Sequence, residues 1–321
     1  MILFQRMKTL TFPLITNLVE PELFSNGSLA DLLKRLADDL ITGVCSIEFS
    51  DGKYIMLLSS FGVPTVVYQV IDGFAQRMPA TEWILGAELE RGPFSYSSVS
   101  LSTQDLRKLR ILFELDSRNV ELGEKIKAIS DAGKSNRPLL LASTTSNKLA
   151  MWYFPGSGVA CRESFLMDRE QVIHSPALDL FEQQSVGNDG VFCADSCEPN
   201  DAWVGYIQSQ FFATVVLRFF SLLEQFKGRV LLNKVMRSFN FKAEANNWMI
   251  SANARDINDQ LFIEDPEQAS AIYQQLMGVA QTVFLAEIGK PIMDGIILDS
   301  LAKSPETYWP MLRKMFDPVV G

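Results

Sequence analysis

The chain has 321 residues, of which 47% are hydrophobic and 21% charged, and its formal net charge is −9. This composition is that of a globular protein with ample material for a core, and the length suggests two domains. So acidic a chain is a poor candidate for non-specific binding to nucleic acid or to an anionic membrane surface, because both depend on lysine and arginine.

The cysteines and the histidine indicate no metal site. The four cysteines are Cys45, Cys161, Cys193 and Cys197, and the one histidine is His174. They contain no CxxC pair with zinc-site spacing, so a reduced, cytosolic chain is the simplest interpretation. We expect Cys45 to be a core residue, since it belongs to an apolar strand pattern.

We predict neither a signal peptide nor a transmembrane helix. Arg6 and Lys8 interrupt the apolar start of the chain, and no cleavage-like site follows. The longest apolar run, 211–226, is too short to span a bilayer and carries Arg218 at its centre.

After an extended lead-in, a helix is predicted that opens at Ser28 and ends before Gly43. Ser28 followed by Asp31 is close to a capping box, which satisfies free backbone N–H groups at a helix start. Gly43 lies just past the predicted end, where a left-handed residue commonly stops a helix. The apolar face is made by Leu29, Leu32, Leu33, Leu36 and Leu40.

The next segment predicts an antiparallel meander packed against this helix. Cys45, Ile47 and Phe49 alternate with polar residues, as in a half-buried strand. Asp51-Gly52 is a strong hairpin signal, and apolar strands follow at 54–58 and 65–70.

The pattern from 70 to 138 is less regular. Short helices are predicted around 72–78 and 80–89, and an edge strand at 92–102. Ser102 and Asp105 then cap a helix, and a further helical stretch is predicted at 120–129. Residues 130–138 are polar and form the best linker in the chain. The inner face of the capped helix is predicted to be Leu106, Leu109, Leu112 and Phe113.

Residues 139–201 predict strands and a loop, and the remainder is mostly helical. Strands are expected at 138–144, 148–154 and 156–167, with an exposed loop at 184–201. Asp265-Pro266 is a helix start, and that helix ends near Gly289 and Pro291. Other predicted elements are a helix at 211–226, a strand at 247–254, and helices around 293–303 and 305–315.

Together these elements predict an α+β fold. An N-terminal antiparallel sheet with amphipathic helices precedes a C-terminal, mostly helical region with a few strands. The expected organisation is a lead-in at 1–27, one domain at 28–130 and a second at 138–321. The sequence leaves open which domain contains residues 139–210.

No convergent catalytic set is present, so we predict a protein without enzymatic activity, cofactor or metal. His174 precedes a proline at an expected loop entry, and no partner is suggested for it. The Gly-Ser-Gly at 156–158 lacks a phosphate-loop lysine. Cys193 and Cys197 are either two ordinary loop cysteines or a reversible redox pair.

Two apolar helical stripes are candidates either for the core or for protein contacts. They are rich in phenylalanine and methionine, which are enriched at protein interfaces. The candidate interaction residues are Phe212, Val216, Phe219, Phe220, Tyr273, Met277 and Phe284.

Residues 26–115 resemble the bacterial DUF4388, or PATAN-type, domain. The resemblance lies in a leucine-rich helix, a Thr-Gly step into a strand, and a later strand entered through a glycine. It implies a non-catalytic regulatory or protein-interaction module in bacterial signalling, often associated with response regulators. The matching positions are Gly27, Leu29, Leu32, Leu33, Leu36, Thr42, Gly43, Gly62 and Tyr68.

The favoured hypothesis is therefore a cytoplasmic regulatory or scaffolding protein that acts through protein–protein interaction. Its partner would be a response regulator, another signalling protein or a second copy of the chain. One alternative is a small-molecule sensor with a pocket lined by Phe, Met and Trp. The other is a thiol-dependent or redox-regulated protein that uses Cys193 or Cys197.

Overall fold

The computed structural model divides the chain into two compact units, Met1–Cys197 and Glu198–Gly321. The predicted boundary near residues 131–137 falls instead within the first unit, which takes in residues 139–197. Both sheets and helices are present, so the predicted α+β class is confirmed. The described residues are 22–24, 28–39, 41–50, 52–59, 63–71, 74–80, 93–114, 118–119, 138–145, 148–154, 163–167, 172–175, 190–195 and 200–316.

Several predicted segments lie outside the described residues. They are most of the lead-in, nearly all of the helix expected at 80–89, the helix expected at 120–129, nearly all of the linker at 130–138, and most of the loop at 184–201.

A six-stranded antiparallel sheet begins the first unit. Its order is β1-β6-β2-β3-β4-β5, so the last strand returns to pair with the first two. The strands are β1 (Glu22–Phe24), β2 (Gly43–Phe49), β3 (Gly52–Ser59), β4 (Val63–Ile71), β5 (Phe74–Met78) and β6 (Phe94–Ser100).

Helix α1 (Leu29–Asp38) covers one face of this sheet, as predicted. The capping box forms: Ser28 Oγ accepts from the Asp31 backbone N–H at 3.3 Å, and Ser28 N–H donates to Asp31 Oδ2 at 2.7 Å. The buried leucines of α1 belong to one core cluster with the inward side chains of β2. Those inward residues are Cys45, Ile47 and Phe49, the face that the alternation predicts.

Two predictions for this sheet are wrong. The segment predicted as a short helix at 72–78 contains strand β5, which pairs with β4 from Ile71↔Phe74 to Val67↔Met78. The predicted edge strand is β6, and it lies between β1 and β2 rather than at an edge.

Gly43 is part of the sheet and does not end the helix, contrary to the prediction. Helix α1 ends at Asp38, and Gly43 is the first residue of β2. A Cβ atom at position 43 would lie 1.9 Å from the backbone carbonyl oxygen of Val99 in β6. Only glycine permits so close an approach of the two strands.

A second six-stranded sheet repeats the topology of the first strand for strand. Its order is β7-β12-β8-β9-β10-β11, again antiparallel throughout. The repeat is one of topology, and the sequence shows no matching internal repeat. Its strands are β7 (Arg118–Asn119), β8 (Leu139–Thr145), β9 (Lys148–Phe154), β10 (Glu163–Met167), β11 (Val172–Ser175) and β12 (Gly190–Asp195).

Helix α2 (Thr103–Glu114) is buried on nearly all sides, because it contacts β2 and β3 of the first sheet and β8 of the second. Its predicted cap and inner face are confirmed, since Ser102 Oγ accepts from Asp105 N–H at 3.1 Å. The Glu114 carboxylate accepts from Arg110 Nε at 2.9 Å and from the Tyr68 hydroxyl at 3.1 Å. Burial, with the neighbouring Glu114 charge, raises the pKa of Tyr68 well above its usual range.

The second unit is helical with one short hairpin. Along the chain, the hairpin strands β13 (Ile250–Ala252) and β14 (Ile257–Asp259) follow two helices and precede three more. The helix at 229–245 was not predicted. The helices are α3 (Asp201–Lys227), α4 (Arg229–Ala245), α5 (Pro266–Glu287), α6 (Lys290–Leu301) and α7 (Trp309–Lys314), with a 3-10 turn at Glu306–Tyr308.

Helices α3 and α5 run side by side in the same direction. Phe212 stacks on Tyr273 with ring centroids 4.6 Å apart, and Phe219 stacks on Phe284 at 4.5 Å. Helix α5 starts as predicted, with the Asp265 carboxylate accepting from Glu267 N–H at 2.9 Å.

Helix α3 has 27 residues and so extends beyond the predicted apolar run at 211–226. By length and composition it is the one helix among the described residues that could cross a bilayer. However, 61% of its most apolar window is buried inside the protein, as expected for the core helix of a soluble α+β fold.

Candidate functional site

Cys45 is the one cysteine whose side chain lies among the described residues. Its side chain is buried, and burial raises its pKa to about 12, so the thiol is a core group rather than a reactive thiolate. Cys193 lies in β12 rather than in a loop, opposite Leu141. Its side chain and Cys197 lie outside the described residues, so the redox pair stays a prediction. His174 lies in β11, not at a loop entry.

The seven candidate interaction residues are core residues, so they do not form an exposed face. Each is at most 1% exposed, because α3, α4 and α5 pack their apolar stripes against one another. The apolar side chains of these stripes are buried in the interior of the second unit. The residues concerned are Phe212, Val216, Phe219, Phe220, Tyr273, Met277 and Phe284.

A buried carboxylate ties α3, β14 and α5 together near the start of both helices. Asp259 Oδ2 accepts from Ser209 Oγ at 2.6 Å and from the Tyr273 hydroxyl at 2.8 Å. Its other oxygen accepts from the Leu261 backbone N–H at 3.0 Å. These donors satisfy Asp259, so we assign it a structural role.

Gln208, the residue before Ser209, lines a pocket of about 640 Å³ in the second unit, which we name the Gln208 pocket. Three elements form it: the first two turns of α3, the first half of α5, and the segment from the 3-10 turn into α7. Its lining residues are Asp201, Val204, Gln208, Asp265, Pro266, Glu267, Ser270, Ala271, Gln274, Thr307, Tyr308, Met311 and Lys314.

Gln208 is the unusual residue of this pocket. It is only 1% exposed, yet neither its amide nitrogen nor its amide oxygen has a hydrogen-bond partner among the described residues. Burying such a group unpaired costs about 1–3 kcal/mol. Buried polar side chains in native proteins are otherwise nearly always hydrogen-bonded, so an exception calls for an explanation.

The charged residues of the pocket are mainly acidic. Asp201, Asp265 and Glu267 contribute three carboxylates, against the single ammonium group of Lys314. All four side chains belong to exposed residues, whereas Gln208 is buried. The pocket therefore has a charged, exposed rim, and the amide of Gln208 lies buried behind its wall.

This lining differs from the pocket of Phe, Met and Trp that the sensor hypothesis expects. Of those three residue types, the Gln208 pocket has only Met311. No group of three or more His, Cys, Asp or Glu side chains in the described part of the chain is placed to hold a metal ion.

Sequence reasoning missed Gln208, although a signal was present. Position 208 is in phase with Phe212, Val215 and Phe219 on the buried stripe of α3, at helical spacing. A glutamine at a position that the periodicity assigns to the core indicates a buried amide, and hence either a polar network or a ligand.

No family model, no curated protein and no solved structure matches this chain. The resemblance of residues 26–115 to the DUF4388 domain therefore stays a prediction.

Proposed function

We propose that the protein is a non-catalytic, cytoplasmic regulatory protein whose second unit senses a small molecule. The observation that carries this proposal is Gln208, a buried amide without a protein partner that lines a pocket. Small-molecule sites are commonly concave, of about 300–1,000 Å³, with a few placed polar groups that orient the ligand.

The energetics support a ligand rather than a structural purpose for Gln208. An apolar residue at position 208 would continue the α3 stripe and avoid the cost of an unpaired amide. Both amide atoms are buried from solvent, so a ligand reaches them only when the side chain rotates toward the pocket, and pairing there would recover this cost. The regulatory part of the proposal follows from the DUF4388 resemblance of the first unit.

Thermal unfolding in the presence of a compound panel tests the sensor function. The panel contains amino acids, amino-acid amides, nucleosides, sugars and dicarboxylates. We expect at least one compound to raise the Tm of the wild-type protein saturably and to leave Gln208→Met unchanged. A ligand at 100 times its Kd adds about 2.7 kcal/mol of stability.

Two variants make the result decisive. Gln208→Met removes the unpaired amide, so we expect it to fold with equal or greater stability, by up to about 1 kcal/mol. Gln225→Leu lies on an exposed part of α3 outside the pocket and should respond like the wild-type protein. If no compound shifts the wild-type Tm, or if Gln208→Met responds equally, the sensor function is rejected.

A second candidate, regulation through protein–protein contact, is favoured by the exposed surfaces of α4 and α6. Val230 and Phe241 are 74% and 71% exposed and lie on one face of α4, with Lys234 and Arg237 between them at helical spacing. Helix α6 exposes Leu298, at 58%. Large exposed apolar side chains are typical of protein interfaces when they cluster.

We take a second copy of the chain as the occupant of the α4 face. Helix α6 exposes Leu298 beside Asp299, whose carboxylate pairs with Arg218 at 3.5 Å, so the α4 face and the α6 surface match mainly in their exposed apolar side chains. We expect a dimer by light scattering and a monomer for the double variant Val230→Ser, Phe241→Ser. Phe226→Ser, which removes another exposed side chain, should remain dimeric. A monomeric wild-type protein would exclude this dimer.

A further inference from the structure

The outward face of helix α6 is apolar around a glycine. Ile292 and Leu298 are 43% and 58% exposed, and they lie three residues before and three residues after Gly295, which is also exposed. Residues three apart in a helix are neighbours on its surface, so the three positions form one stripe. Clustered apolar side chains that stay exposed in this way are typical of a contact with another chain.

The described part of the chain gives no reason for a glycine at position 295. The described glycines with a positive φ are Gly228 and Gly289, so Gly295 has an ordinary helical backbone. A Cβ atom at position 295 would meet no atom within 4 Å, although glycine in the middle of a helix is less favourable than alanine. The missing side chain leaves a notch in the apolar stripe, where the backbone of a second helix can approach closely.

The two ends of α6 differ in charge. The helix begins at Lys290, and its N-terminal end carries the positive part of the helix dipole without a side-chain cap. Asp299 lies in the last turn, and its side chain is 69% exposed although its carboxylate is 3.5 Å from Arg218. Two copies of α6 that pack antiparallel therefore bring opposite charges together at both ends, whereas a parallel pair would bring like charges together.

An antiparallel pair also matches the apolar stripe to itself. Because Ile292 and Leu298 are equally far from Gly295, a two-fold axis at Gly295 places Ile292 of each copy opposite Leu298 of the other. A two-fold interface uses the same patch on both subunits, so that patch has to be self-complementary. This self-complementarity points to a second copy of the chain as the occupant of the α6 face.

Helix α4 lies at the margin of such an interface. Lys242 in α4 and Lys290 at the start of α6 line one groove of about 900 Å³. In the antiparallel pair, Leu298 and Asp299 of the second copy lie over the start of α6, and hence beside the C-terminal end of α4. The exposed side chain of Phe241 belongs to that end of α4, so the α4 face of one copy meets the α6 surface of the other.

We infer that the protein forms a two-fold symmetric dimer in which the α6 helices of two copies pack antiparallel across Gly295. This inference rests on the proposed contact with a second copy and specifies its geometry. The backbones approach at the Gly295 notch, Ile292 packs against Leu298, and Asp299 lies at the positive N-terminal end of the other helix.

Charge reversal tests the pairing of the helix ends. Asp299→Lys and Lys290→Glu each bring like charges together at both ends of the pair. We expect the dimer Kd of each variant, measured by analytical ultracentrifugation at low ionic strength, to rise about tenfold. An equimolar mixture of the two variants should form a heterodimer with a Kd within about threefold of the wild-type value, because both of its ends again pair opposite charges.

Filling the notch tests the position of the axis. Gly295→Gln should raise the dimer Kd by about tenfold or more, because the added side chain separates the two helices at their closest approach. Its Tm should be equal to or higher than that of the wild-type monomer, since the site is open and glutamine is a better helix former than glycine. Gly205→Gln is the matched control on α3, where a Cβ also meets no atom within 4 Å, and it should dimerise like the wild-type protein.

The outcomes separate this inference from the proposed contact. If Val230→Ser, Phe241→Ser dissociates the dimer and Gly295→Gln leaves it intact, the contact with a second copy stands and the α6 pair is wrong. If the two charge variants associate no better together than alone, the antiparallel orientation is wrong. A wild-type protein that stays monomeric would reject both the contact and the α6 pair.

Discussion

Replacing Gly43 by alanine should lower the free energy of unfolding of the first unit by about 3 kcal/mol or more. The added Cβ would lie 1.9 Å from the carbonyl oxygen of Val99, a distance that real side chains do not adopt. The obstructing atom belongs to the backbone of the neighbouring strand, so relief requires β2 and β6 to move apart. That movement would break ladder hydrogen bonds in the centre of the sheet. Chemical denaturation, with peptide-resolved hydrogen exchange to isolate the first unit, measures the effect.

Gly52→Ala is the matched control, because it adds the same atom to the same sheet. A Cβ at position 52 meets only side-chain atoms of Tyr54 and Gln69, at 3.7 Å or more. We therefore expect a change of about 0.5 kcal/mol or less, or a slight stabilisation from reduced flexibility of the unfolded chain. Similar effects of Gly43→Ala and Gly52→Ala would show that the close approach to Val99 is unimportant.

The sequence predicts the first sheet well wherever short-range signals agree. Ser28 with Asp31 marks the start of α1, and the alternation of Cys45, Ile47 and Phe49 identifies the buried face of β2. These features depend on neighbouring residues alone, so they can be read without knowledge of the tertiary structure.

Strand β5 was missed although its signal resembles one that was used. The Asp-Gly dipeptide at 72–73 comes directly before β5, and the comparable Asp51-Gly52 stands at the start of β3. The segment from Phe74 to Met78 has little β-propensity of its own and is a strand because it pairs with β4. Pairing between strands is a tertiary effect that often overrides local preference.

The repeated topology of the two sheets could not be predicted either. β-Strand order depends on which residues meet across the sheet, and the second sheet achieves its order with different residues. For example, Gly43 pairs with Ser100 in the first sheet, whereas the second pairs Leu139 with Asp195. A fold can thus be duplicated without an internal repeat that the sequence reveals.

In the second unit, periodicity identified the apolar stripes but could not show whether they form a core or an interface. A stripe containing Phe212 and Phe219 is equally compatible with a core and with an interface, and only the packing of α5 against α3 decides. The same periodicity would have marked Gln208 as an exception. The candidate pocket itself requires α3, α5 and α7 to meet, which no local pattern predicts.

Replacing Asp259 by alanine should lower the free energy of unfolding of the second unit by about 3–5 kcal/mol. The substitution removes the acceptor for three donors, the hydroxyls of Ser209 and Tyr273 and the backbone N–H of Leu261, and leaves a buried space. Because these donors come from α3, α5 and the segment after β14, the loss loosens the contact of all three. The measurement is denaturant unfolding followed by tryptophan fluorescence, with peptide-resolved hydrogen exchange to assign the change to the second unit.

A double-mutant cycle separates this network from a general loss of packing. Ser209→Ala alone should cost about 1.5–3 kcal/mol, because it removes one hydrogen bond to a charged group. In the Asp259→Ala background the same change should cost less, because the hydrogen bond from Ser209 to the Asp259 carboxylate is already lost. Additive effects of the two substitutions would contradict the assigned role of Asp259. The result also bears on the adjacent pocket, because Ser209 follows Gln208 and Tyr273 precedes the lining residue Gln274. A carboxylate that holds α3 against α5 thereby maintains the geometry around Gln208.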